Sequence, residues 1–132
     1  MKINTFFAIA AVLAAIYGLG FFLIPAQTVG LYGITLDVNG QFVGRYLGSA
    51  FLGVAVLTWM ARSLTSQEAL RPILLGDFVI SLTGLAVAVW DTFAGSGNAL
   101  SWVTVVIYLF LTLGFGYFQF VASPASRMAT RQ

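Results

Sequence analysis

Asp77 and Asp91 stand fourteen residues apart near the two ends of one apolar stretch, 73–93. Fourteen helical residues rise about 21 Å, less than a hydrocarbon core about 30 Å thick. Both carboxylates therefore cannot lie outside the membrane if the stretch spans it upright. Fourteen is also two heptads, so Asp77, Gly84 and Asp91 fall on one stripe, within about 40° of each other. Ionisable groups at such depth are costly, face protein or water, and build proton relays and solute paths. Asp77 meets no basic residue at its level, which makes it the candidate protonatable site: burial disfavours the charged form of a carboxylate. The plainer expectation is a partly hydrated carboxylate near the headgroups.

Asp91 has a candidate partner. Arg45 lies four residues into the stretch 42–61. If residues 61 and 73 sit at one level, Arg45 is sixteen and Asp91 eighteen residues away, a height difference of about 3 Å. Helices joined by a short loop are antiparallel neighbours. An intramembrane charged pair, Arg45 with Asp91, is the expectation, acting as a clamp or as part of a solute path. Otherwise Arg45 snorkels to the headgroups.

The same stretch opens on Gly40, Gly44 and Gly48 at four-residue spacing. Small residues so spaced let helix backbones approach closely in lipid, either inside the bundle or at an oligomer face. Arg45 and Ser49 share a face with Gly48, so that face is expected to point toward protein. The last apolar stretch carries Tyr108, Phe110, Phe115, Tyr117, Phe118 and Phe120. Lipid-facing packing and an interfacial belt are expected to account for most of it, with packing on a neighbouring helix, or stacking on a quinone or pigment, as the alternatives.

Absences narrow the chemistry. The chain has no cysteine and no histidine, which removes thiolate and imidazole ligation, thiol redox work and the commonest general base. Four acidic residues spread over 132 positions form no metal-ligand set. No nucleophile–base pair, phosphate loop or dinucleotide fingerprint occurs. We therefore expect no catalytic, cofactor-binding or metal-binding residues, and no enzyme in this chain alone. Six scattered basic residues, despite a net charge of +2, leave no nucleic-acid footprint.

These residues need elements to hold them. Hydrophobic residues make up 60% of the chain and charged ones 8%, and the mean hydropathy is +0.97, beyond what a soluble domain of this size carries. Four stretches, 6–24, 42–61, 73–93 and 99–121, each approach the twenty residues a spanning helix needs. The composition predicts a single all-α domain over 1–132, an integral membrane, antiparallel four-helix bundle. Pro25 ends the first helix, which is too long for a signal-peptide core and is read as retained. Arg71-Pro72 opens the third, where a helix start tolerates proline. The apolar loop 25–41 is expected to lie as a short helix or turn over one end of the bundle.

Lys2, Arg62, Arg71, Arg127 and Arg131 all fall on one side of this topology, while the other side's loops hold Asp37 and no Lys or Arg. The positive-inside rule places both termini in the cytoplasm, and Trp59, Trp90 and Trp102 fall at belt positions.

Pro25 after the first helix, Leu31-Tyr32-Gly33-Ile34 in the apolar loop and Arg45-Tyr46-Leu47-Gly48 opening the second helix resemble the small four-helix membrane proteins grouped around the DoxX-like superfamily. The resemblance implies a bacterial cytoplasmic (inner) membrane bundle. It implies little about activity beyond dependence on partners. The leading expectation is a non-catalytic scaffold or accessory subunit among membrane lipids, as a homo-oligomer or with other membrane subunits. The rival is a small carrier for protons or solutes using Arg45, Asp77 and Asp91. A quinone- or lipophile-binding subunit of a redox enzyme is the third. Reporter fusions at Gln132 and within 95–98 should report opposite sides, cytoplasmic and external; the same side for both would exclude the four-pass topology.

Overall fold

The structure, a computed structural model, describes residues 1–122; Arg127 and Arg131 lie outside the described residues. Among the described residues every element is helical: α1 (Ile3–Leu23), α2 (Pro25–Gly30), α3 (Val38–Ala61), α4 (Gln67–Phe93) and α5 (Leu100–Gly116), with a π-helical turn over Tyr117–Val121. Four spans are long and apolar enough to cross a membrane, the last running through the π turn. The chain is thus a multi-pass membrane protein.

Local chemistry sets the boundaries. Pro25 cannot continue α1 and instead starts α2, where its missing amide is not needed. Asp37 caps α3 by accepting a hydrogen bond from the Gly40 amide at 2.7 Å, so α3 begins four residues before the apolar stretch does. The larger correction is at α4. Ser66 accepts from the Ala69 amide at 3.3 Å and Glu68 occupies the first turn, a favourable charge at a helix N-terminus. The helix therefore starts at Gln67. Pro72 lies inside it rather than at its start, removing the amide that would bond the Glu68 carbonyl. At 27 residues α4 is about 40 Å long, more than an upright span of the hydrocarbon needs.

The helices pack chiefly as two pairs, α1 with α3 and α4 with α5. In lipid, apolar burial gives little drive for association, and close backbone contact matters more. Gly44 and Gly48 are buried in the first pair. A Cβ on Gly48 would strike the Phe22 amide nitrogen and the Gly18 carbonyl of α1, and one on Gly44 would come within 3.1 Å of Pro25. Gly40, partly buried, sits against its own Leu36. In the second pair, Gly84 of α4 makes room for the Tyr108 ring of α5.

The pairs join at the end that carries Lys2 and Arg62, here called the basic end. Ile3, Phe6, Phe7, Ala61, Leu70, Leu74, Phe115 and Phe118 form one buried cluster there. Phe6 is its hub, with ring centroids 4.7 Å from Phe115, 5.6 Å from Phe118 and 5.5 Å from Phe110. Gly114 leaves the space that the Phe6 ring fills. Within the π turn the Ala122 amide bonds the Tyr117 carbonyl at 2.8 Å, and Phe120 meets Phe78 at 5.2 Å. Of the aromatic stripe of the last helix, Phe115 and Phe118 are core, whereas Phe110, Tyr117 and Phe120 are exposed on the bundle surface, as lipid-facing packing requires. At the bundle surface, Arg62 stacks 4.1 Å over the half-exposed Trp59 ring, an arrangement suited to a membrane–water interface.

Two glycines of α3 separate packing from propensity. Gly48→Ala should destabilise the protein by about 1–3 kcal/mol, because α1 backbone blocks the added methyl. Gly53 has nothing within 4 Å of a Cβ, so Gly53→Ala should be neutral or stabilising by up to about 1 kcal/mol. Thermal unfolding in detergent, read by circular dichroism, should rank the two in opposite directions.

Candidate functional site

Because the pairs meet closely only at the basic end, a partly open cavity of about 630 Å³ remains between them. Its walls follow helix periodicity. From α4 come Asp77, Ser81, Gly84, Ala88 and Asp91, the stripe on which the two aspartates lie. From α3 come Leu47, Phe51, Val54 and Thr58, again at alternating four- and three-residue steps. Tyr17 of α1 and Thr104 and Tyr108 of α5 add hydroxyls to a mainly apolar lining.

Near the basic end, Asp77 is 8% exposed and Thr58 1%. The Thr58 hydroxyl donates to Asp77 Oδ2 at 3.0 Å, tying α3 to α4. Asp77 is therefore buried within the protein and hydrogen-bonded. Ser81, 3% exposed, lies one turn further along. Phe115 belongs both to the buried aromatic cluster and to the cavity wall, so the cluster forms the floor.

The opposite end is capped by the loop after α1. Here α2 and the turn through Gly33, at φ +73°, carry Val29, Tyr32 and Ile34 to the cavity. This lid belongs in sequence to the first pair and bonds to the second. Tyr32 Oη lies 2.8 Å from Thr104 Oγ1 and 3.0 Å from Tyr17 Oη. The Asn98 side-chain amide donates to the Leu31 carbonyl at 3.0 Å, while its oxygen accepts from the Leu100 amide at 2.9 Å. Gly95 and Gly97, at φ +84° and +77°, allow the tight turn that presents Asn98. Burial pushes the Tyr32 phenol up to about 12, only partly offset by its bond to Thr104.

Arg45 and Asp91 are not brought together. Asp91 lines the cavity at its lid end, and Arg45, exposed, does not line it. Matching their heights left out azimuth: two residues of α3 turn about 200°, so Arg45 lies about 160° round the helix from the cavity-lining Leu47. Ser49 is likewise exposed; only the glycine edge of that face meets protein. The same height rule, applied to hydroxyls rather than to bases, pairs Thr58 with Asp77. They lie three and four residues from the levels matched at 61 and 73. Tyr17, Tyr32 and Thr104 had no such signal, since their contacts join positions 15 and 72 apart. Among the described residues, no group of three or more His, Cys, Asp or Glu is placed to hold a metal.

The lid carries a pH dependence. A phenol raised in the folded state keeps its proton while the unfolded chain loses one near pH 10, so stability falls between about pH 10 and 12. Tyr32→Phe should flatten that alkaline slope in unfolding curves, and ultraviolet titration should lose its highest tyrosine step.

No curated protein and no solved structure matches the chain. A family model matches residues 1–119, nearly the whole of the spans and both ends of the cavity. The chain belongs to the family described as Domain of unknown function (DUF8292).

Proposed function

We propose that this protein is a non-enzymatic carrier, binding one small, largely apolar molecule between its two helix pairs. The observation that carries the reading is the cavity itself. Its volume of about 630 Å³ lies within the range of small-molecule sites, and it is apolar with a few convergent polar groups. The aspartate stripe faces it along its length. A hydroxyl-latched lid covers one end and a packed aromatic floor closes the other, an arrangement suited to holding a ligand taken up sideways from the lipid.

The scaffold reading has less support than the residue pattern alone suggested. Gly40, Gly44 and Gly48 offer either a packing surface inside the bundle or an oligomer face, and Gly44 and Gly48 are occupied by α1 and Pro25. Of the charged residues expected to serve a carrier, Asp77 and Asp91 face the cavity and Arg45 does not. A quinone or another lipid-like molecule fits the apolar walls as cargo without requiring any redox step here. We place the protein in a bacterial cytoplasmic membrane, with the basic end and both termini inside. The resemblance of Leu31-Tyr32-Gly33-Ile34 and Arg45-Tyr46-Leu47-Gly48 to DoxX-like proteins favours that location, and Lys2, Arg62 and Arg71 favour the orientation.

Purification in mild detergent followed by native mass spectrometry tests the reading. A small molecule should remain bound at one per chain. Ala50→Trp, placed on the cavity wall, should displace it while leaving the helical spectrum unchanged. Retention of the ligand by the folded Ala50→Trp protein, or its absence from every preparation, would refute the reading.

A further inference from the structure

The charges around the cavity are one-sided. Among the described residues its lining contains two carboxylates, Asp77 and Asp91, and no Lys or Arg. Arg45 points away from it, as the azimuth on α3 requires. Asp77 receives one hydrogen bond, from Thr58, whereas a carboxylate has about four acceptor positions. The carboxylate thus retains acceptor capacity at the buried end of a mainly apolar volume. Tyr17, Phe51, Tyr108 and Phe115 line the same walls, and aromatic rings attract cations at their faces, more so when water is excluded.

We propose that the cargo is a lipophilic monocation, an amine or quaternary onium compound with apolar substituents, whose charge is met by Asp77. This assignment rests on the carrier reading above and specifies its substrate class. An anion would bring like charge to a buried carboxylate. With a neutral molecule bound, burial favours the protonated form of a carboxylate, whereas a monocation supplies the counter-charge that keeps Asp77 ionised. A cation satisfies the site and fills the apolar walls together. Asp91, exposed near the lid, lies about 21 Å along the same stripe, at the opposite end of the path such a cation would follow.

Titration calorimetry of the detergent-solubilised protein with tetraphenylphosphonium, and in parallel with the uncharged triphenylphosphine oxide, tests the assignment. The cation should bind at one per chain and at least tenfold more tightly than the oxide. Asp77→Asn should weaken the cation at least tenfold and leave the oxide unchanged, and Asp77→Glu should restore most of the cation affinity. Should Asp77→Asn not fold, Ala50→Lys, at an exposed position on the cavity wall, brings an ammonium to the lining and should weaken cation binding at least tenfold. Equal affinity for the two probes, or cation binding that survives either variant, would overturn the charge assignment and leave the carrier reading standing. Binding of neither probe would overturn both.

Discussion

In hydrocarbon, two apolar helices gain little by exchanging lipid for each other, so contact distance decides which of them stay together. In this chain that distance is set where Gly48 lies against the backbone of α1 at Gly18 and Phe22. The first and third helices become a ribbon with almost no side chain between them at that point. A second close contact, the Tyr108 ring over Gly84, does the same for α4 and α5. Two tight ribbons cannot also interdigitate along their full lengths when large aromatic rings are concentrated at one end. The phenylalanine cluster therefore draws the ribbons together near Phe6, and the space further along is left open. The cavity is a result of where the small and large residues were placed.

The polar groups follow from that division. Thr58 and Asp77 join the ribbons just above the floor, and Tyr32 with Thr104 joins them at the lid. Between these ties the facing walls are mainly apolar. Each tie links a ribbon to its opposite number, so hydrogen bonds replace side-chain packing as the means of holding the halves in register. Such bonds are worth roughly 1 kcal/mol each, far less than a packed interface. The halves are thus held firmly at the floor and weakly at the lid.

Length and hydropathy made the four spans legible, because any spanning helix must meet the same thickness. The aspartate stripe was legible as well, since helix periodicity alone puts Asp77, Gly84 and Asp91 on one face. The start of α4 was misread because apolarity ends at Ile73, whereas the helix extends to its Ser66 cap through polar residues. Arg45 was misjudged because height along a helix can be read from a count of residues, but facing direction depends on which side the glycines turn inward. The lid's tyrosine bonds were out of reach altogether. They depend on how loop 25–41 folds back, and no periodicity governs a turn at Gly33.

The lid has a consequence for the order in which the molecule is made. Tyr32 and Leu31 emerge early, between the first and second spans, yet the partners that hold them, Asn98 and Thr104, come 67 and 72 residues later. During synthesis the first ribbon can form by itself, since Gly18 and Gly48 are both present by the end of the second span. The covering segment must meanwhile wait without its partners through insertion of the third helix and the start of the fourth. The chamber is therefore closed last, and any molecule of the surrounding lipid that enters before residue 104 is in place meets an uncapped site.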